Sequence, residues 1–164
     1  MSSLARADLA LYRRVRGAAL DEDTVSAVRR LSALGEHGAV WLALGAAGAL
    51  VDSRRRSRWK RATASIAGAY LLNTAAKAVV RRPRPDLEDL PALMSTPTQL
   101  SFPSAHAATS FAAARAFSGG LLPAAPLYVV ASAMAASRVV LGVHYPSDIV
   151  AGAALGAAIG SLGR

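Results

Sequence analysis

Cysteine is absent from the 164 residues, which removes disulfide scaffolds, thiol nucleophiles and cysteine-based zinc or iron–sulfur sites. Charge is also scarce: Asp, Glu, Lys and Arg make up 18% of the chain, against about 25% in an ordinary soluble domain. Acidic residues are the rarer kind, 10 against 19 Lys and Arg, leaving a formal charge of +9. A secretory signal is missing too, since residues 1–16 interleave Arg6, Arg13, Arg14 and Arg16 with Leu4, Leu9, Leu11 and Val15 and hold no continuous apolar run. What is abundant is hydrophobic and small. The hydrophobic share is 53% and mean hydropathy +0.32, which excludes a disordered chain. The length is that of one domain. The positive excess calls for nucleic acid, anionic lipid headgroups or a phosphate substrate as partner.

Two amphipathic helices open the chain. Leu4, Ala7, Leu11 and Val15 recur at helical spacing, and Val25, Val28, Leu31 and Leu34 form a second face after Asp21, Glu22 and Asp23, a good helix start. Both are expected to lie at a membrane interface. From His37 on, segments at 37–51, 62–80, 103–118, 122–141 and 147–163 are almost wholly apolar or small, and they lack the polar face of a soluble surface helix. The expected fold is all-α: a polytopic bundle of about five transmembrane helices at 37–164, with the interfacial helices at 1–36. Several segments are short against the usual ~20 residues of a span. Gly152, Gly156 and Gly160 give two overlapping GxxxG patterns, read as packing within the bundle. The basic run Arg54, Arg55, Arg56, Arg58, Lys60 and Arg61 marks the loop 52–61 as cytoplasmic. The N-terminal segment and the loop 81–101 then lie outside. Trp59 is the one aromatic in that run, so anionic lipid explains it better than nucleic acid.

Ionisable residues at membrane depth are costly, which makes each one a candidate for function. Lys77, Arg81, Arg82, Arg84, Ser104, His106, Ser137, Arg138, His144 and Asp148 all fall at helix ends that alternating spans bring to one face. Pro83 and Pro85 hold Arg84 in an extended stretch. Pro103 starts the third apolar helix, whose first N–H groups, from Ser104 to His106, are aimed at an anion. Gly142 closes the fourth helix. Three fixed cations, a helix N-terminus, two histidines, a hydroxyl and a carboxylate suit a phosphoryl group. A histidine held by a carboxylate can attack phosphorus, and a second can protonate the leaving oxygen. The cations would repel a divalent metal, so no metal or other cofactor is expected. Arg115 reads as a snorkelling side chain and His37 as a residue without partners.

The blocks Lys77-AVVRRP-Arg84-Pro85, Pro103-Ser104-Ala105-His106 and Ser137-Arg138-VVLGV-His144-YPS-Asp148 resemble the signature of the phosphatidic acid phosphatase type 2 superfamily of membrane lipid phosphatases. The resemblance covers residues 24–163. It implies that Lys77, Arg84 and Arg138 bind the phosphate, assisted by Ser104 and the N–H of Ala105. It makes His144 the nucleophile, oriented by Asp148, and His106 the general acid, with no metal. The implied enzyme is a multi-pass phosphoric monoester hydrolase of the cell membrane, active on the extracytoplasmic face. Its expected substrate is a phosphorylated sugar on a polyprenyl phosphate, as in cell-wall arabinan precursor synthesis, with undecaprenyl diphosphate and phosphatidylglycerophosphate as rivals and headgroup choice in the loop 86–100. A silent lipid-phosphate binder is the reading from another class. Oligomeric state is left open. Ala105 stands where the family has glycine, harmless if its φ is helical. The chain also replaces the first span of longer members with its amphipathic helices.

Overall fold

A computed structural model describes residues 3–18 and 20–164. Among them the chain is all-helical: α1 (Ser3–Arg16), α2 (Glu22–Leu34), α3 (Ala39–Val51), α4 (Arg56–Val80), α5 (Ala105–Phe117), α6 (Ala124–Val140) and α7 (Pro146–Leu162). The five apolar segments become α3–α7. The largest departure is at α4. The basic stretch is mostly helix rather than loop, because Arg and Lys are good helix formers. Arg55 and Arg58 donate to the carbonyls of Gly120 and Gly119, and Arg56 to that of Ala49. They satisfy carbonyls at and beyond the ends of α3 and α5.

The centre is α5, buried on nearly every side. Alanine makes this possible, since a helix coated with methyl groups lets neighbours approach from all directions. Against it lies α7, whose Gly152, Gly156 and Gly160 face the α5 backbone at Ser104, Ala108 and Ala112. A Cβ at Gly156 would strike the Ala108 carbonyl. The glycine spacing therefore packs one helix of the bundle on another, as expected. A second cluster, of Trp41, Trp59, Ile66, Phe117 and Met134, fills the space among α3–α6. Gly48 leaves room there for the Trp59 indole, and Trp41 Nε1 donates to Ser110 Oγ at 2.9 Å.

Asp21 caps α2, accepting from the Thr24 N–H at 2.7 Å. The helix ends at Gly35, and left-handed residues at His37 (φ 52°) and Gly38 (φ 71°) turn the chain into α3, bending the pair by 43°. Among the described residues no single helix is long and apolar enough to cross a membrane, though this bent pair passes that test by length and composition. α1 departs from its pattern. Leu4 and Leu11 stay exposed, while Asp8 and Tyr12 are buried against α6 and α7. A carboxylate is tolerated inside because partners from the bundle meet it.

Candidate active site

Four helix ends converge: the C-termini of α4 and α6 and the N-termini of α5 and α7. Between them lies a cavity of about 140 Å³, bounded by Lys77, Arg84, Ala105, His106, Arg138 and His144 and opening past Glu36, His37, Tyr70, Thr74 and Thr98.

The first cation is set by the end of α4. Lys77, on its last turn, gives its Nζ to the carbonyls of Leu100 and Ser101 at 3.1 and 3.0 Å. Arg81, left-handed at φ 52°, ends the helix. The next residues then pair antiparallel with the end of the long loop, Ser101 N–H to the Arg82 carbonyl at 2.8 Å and Arg84 N–H to Gln99 at 3.1 Å. This pairing carries the Arg84 side chain inward. Its Nε donates to the Thr98 carbonyl at 2.8 Å, and its Nη1 to the Val143 carbonyl at 2.6 Å, 3.2 Å from His144 Nε2. Burial pulls the Arg84 guanidinium below its ordinary range, offset in part by the Asp148 charge. Arginine starts so high that it stays charged at any working pH.

At the start of α5 the expected donor set is only partly available. The Ser104 N–H is taken by the Asp148 carbonyl at 3.0 Å, and Ser104 Oγ caps the helix, accepting from the Ala107 N–H at 3.4 Å. Ser104 is fully buried behind the cavity wall. Ala105 opens the helix with negative φ, so the glycine of the family pattern is not needed for backbone freedom here. His106 Nε2 lies 3.0 Å from the Ser32 carbonyl of α2. A carbonyl only accepts, so that nitrogen carries a proton.

Arg138, 3% exposed near the end of α6, donates Nη1 to the Ser32 hydroxyl and to Met94 Sδ. Its Nε is buried with no hydrogen-bond partner among the described residues. A buried unpaired donor on a cation is expensive unless a ligand completes it. Ser137 turns away to the Met134 carbonyl. Gly142, at φ +78°, closes α6 as expected and places His144 in the turn before α7. Its Nδ1 faces Asp148 Oδ2 at 3.3 Å, and the same oxygen accepts the Tyr145 N–H at 2.9 Å. Burial, with Arg84 nearby, pushes His144 down to about 4 against the opposing hydrogen bond from Asp148. At neutral pH the ring is uncharged with Nδ1–H toward the carboxylate, and Nε2 carries the lone pair.

Sequence reasoning missed several members. His37 is not partnerless: its Nδ1 lies 2.8 Å from the Tyr70 hydroxyl at the cavity mouth. Asn73, fully buried on α4, donates to the Pro103 carbonyl at 3.1 Å and ties down the turn before α5. Arg82 does not enter the cavity; it pairs with Asp148 at 2.8 Å and with Asp8 at 2.7 Å. The buried Asn73 in an apolar helix was the one signal available in sequence.

A helical bundle whose clustered ends hold a carboxylate-backed histidine, a second histidine and three cations defines a phosphatase of the membrane-enzyme kind. The chain belongs to the PAP2 superfamily, whose pattern matches residues 58–163. It is 43% identical over 159 residues to the decaprenylphosphoryl-5-phosphoribose phosphatase of Mycobacterium tuberculosis, spanning 96% of this chain and 89% of that protein. To the protein of the same name from Mycolicibacterium smegmatis it is 47% identical, over 78% and 71% of the two chains. Among solved structures, LpxE of Aquifex aeolicus superposes with a TM-score of 0.81 at 27% identity, covering 94% and 93%. A transmembrane PAP2-type phosphatidylglycerolphosphate phosphatase from Bacillus subtilis gives 0.78 at 21% identity, covering 99% and 85%; at that identity the likeness is one of fold. The chain is a membrane phosphatase of this superfamily.

Proposed function

We propose that this protein hydrolyses the phosphomonoester of a polyprenyl-linked sugar phosphate, of the decaprenylphosphoryl-5-phosphoribose type, through a phosphohistidine. The observation that carries the reading is His144 itself. One ring nitrogen is backed by Asp148, and the other faces a cavity whose cations, Lys77, Arg84 and Arg138, come from three different elements. Supporting the substrate class are the relatives' activity and a mouth formed by Glu36, His37, Tyr70 and Thr98, side chains that hydrogen-bond sugar hydroxyls.

Lys77, Arg84 and the unpaired Nε of Arg138 hold the phosphate oxygens, with the Ala105 N–H at the start of α5, while Ser104 caps that helix from behind the cavity. His144 Nε2 attacks phosphorus while the bond from phosphorus to the sugar oxygen breaks. His106, held at Nε2 by Ser32, gives that oxygen a proton from Nδ1. Asp148 balances the positive charge that the His144 ring acquires. Water then attacks the phosphohistidine and yields its proton to His106, the N–P bond breaks, and inorganic phosphate leaves with His144 neutral again.

The bundle lies in the membrane with several passes and with α1 and α2 at its surface. Leu50, Leu71, Val79, Val129, Val150 and Leu162 stand exposed around its flanks, the dressing of a lipid-facing surface. Leu4 and Leu11 present the same chemistry on α1. The basic end of α4 is cytoplasmic, which puts the cavity at the opposite, extracytoplasmic face.

Phosphate release by the detergent-purified protein tests the chemistry, measured in EDTA with prenyl-linked sugar phosphates, undecaprenyl diphosphate and phosphatidylglycerophosphate. Turnover that persists in EDTA, favours the sugar phosphate and vanishes in His144→Ala is the expected result. Binding without turnover on every lipid would instead make the protein a silent lipid-phosphate receptor.

A further inference from the structure

Asp8 has no place in the hydrolysis just described, yet it is 8% exposed and receives three hydrogen bonds from the catalytic end of the bundle. Arg82 Nη2 donates to it at 2.7 Å, the Ser147 N–H at 2.9 Å and the Ser147 hydroxyl at 2.6 Å. The guanidinium of Arg82 lies over the Tyr145 ring, 4.1 Å from its centroid. Its Nη1 reaches Asp148 Oδ1 at 2.8 Å and the Ser147 hydroxyl at 2.7 Å. The other oxygen of Asp148 faces His144. A continuous row therefore runs from α1 to the nucleophile: Asp8, Arg82, Asp148, His144.

The charges along this row are informative. Arg82 on its own would cancel Asp148, leaving the His144 ring without a counter-charge. The other groups that face His144 are cationic or basic: Arg84 at 3.2 Å, Lys77 across the cavity and His106 from α5. Glu36 stands at the mouth. With Asp8 present, two carboxylates flank one guanidinium and a single negative charge remains behind Nδ1. That is the charge an imidazolium or a phosphohistidine requires. Burial works against ionised Asp8, but the hydrogen bonds from Ser147 and Arg82 outweigh it and hold the carboxyl below its usual range, so the charge persists through neutral pH.

We propose that Asp8 is a positioning residue of the phosphatase: through Arg82 it keeps Asp148 in place and its charge available to His144, which makes the amino-terminal helix part of the catalytic apparatus. This rests on His144 as nucleophile.

The test uses the full chain in detergent, steady-state hydrolysis of the preferred lipid phosphate, and the acid limb of kcat, where bound phosphate has neutralised the cavity cations. Asp8→Asn removes one negative charge, so the limb moves to lower pH by about half a unit or more. Its kcat falls about tenfold or more while KM stays nearly unchanged. Arg82→Gln removes the positive charge and moves the limb the opposite way. The double variant restores the net charge, so its limb returns toward the wild-type position and its kcat exceeds that of Asp8→Asn. A limb that stays put in both single variants would overturn the proposal, as would a double variant that merely sums two losses. If one single variant does not fold, the direction of shift in the other decides. Turnover surviving in His144→Ala would remove the catalytic reading itself. A dead His144→Ala beside a wild-type-like Asp8→Asn would remove only this inference.

Discussion

In the proposed mechanism His144 attacks only while its Nε2 lone pair is free of a proton, and its surroundings are arranged to keep it so. Burial holds the ring near 4, so kcat/KM should fall as the pH drops through that value and the ring becomes charged. On the alkaline side the loss comes from His106, which must carry its second proton to release the alcohol. The expected profile is a bell, recorded as kcat/KM for the best lipid substrate. A profile that stays flat from pH 3 to 8 would contradict this division of roles. At the same scale, Ser32 supports two site residues at once, His106 through its carbonyl and Arg138 through its hydroxyl. Backbone carbonyls leave no mark in a sequence, and nothing in a serine on an amphipathic helix distinguished Ser32 from its neighbours. The charged residues of the cavity were legible for the opposite reason: an ionisable side chain stands out where apolar residues surround it.

The helices themselves show what patterning can and cannot specify. The apolar segments predicted at 37–51, 103–118, 122–141 and 147–163 closely match α3, α5, α6 and α7, because proline, glycine or charge punctuates each boundary. Asp8 shows the limit. Its partners Arg82 and Ser147 lie 74 and 139 residues away, and no local rule turns the polar side of α1 inward. The glycines of α7 give the sharpest element-level test. In Gly156→Val the new side chain meets the Ala108 backbone, and overpacking of this kind costs about 1–3 kcal/mol, more when backbone must move. Gly68→Ala is the contrasting case, since the added methyl finds only Ile159 at 3.9 Å and gains helix propensity worth about 0.5–1 kcal/mol. Thermal denaturation in detergent should therefore separate the two glycines in opposite directions.

For the whole molecule, polarity across the bilayer is the property at stake. Among the basic residues at the start of α4, Arg55 and Arg58 are engaged in holding the loop after α5. The orienting charge can therefore be altered through Arg54, Lys60 and Arg61 with less damage to the fold. Neutralising these three should disturb insertion or orientation in reporter fusions while molecules that insert correctly retain their kcat. Loss of turnover with unchanged topology would show that the basic end serves the cavity instead.

The distribution of the cavity's parts along the chain also sets an order in time. Arg84 and His144, which meet at 3.2 Å, are 60 residues apart, so the ribosome delivers Lys77 and Arg84, the first two proposed phosphate ligands, well before the proposed nucleophile and its carboxylate. A chain halted after α5 holds cations and a proton donor but nothing that can attack phosphorus. On the proposed mechanism, lipid cleavage requires the packing of the α7 glycines along α5 to be complete. On that mechanism an unfinished protein in the membrane leaves the lipids around it uncleaved.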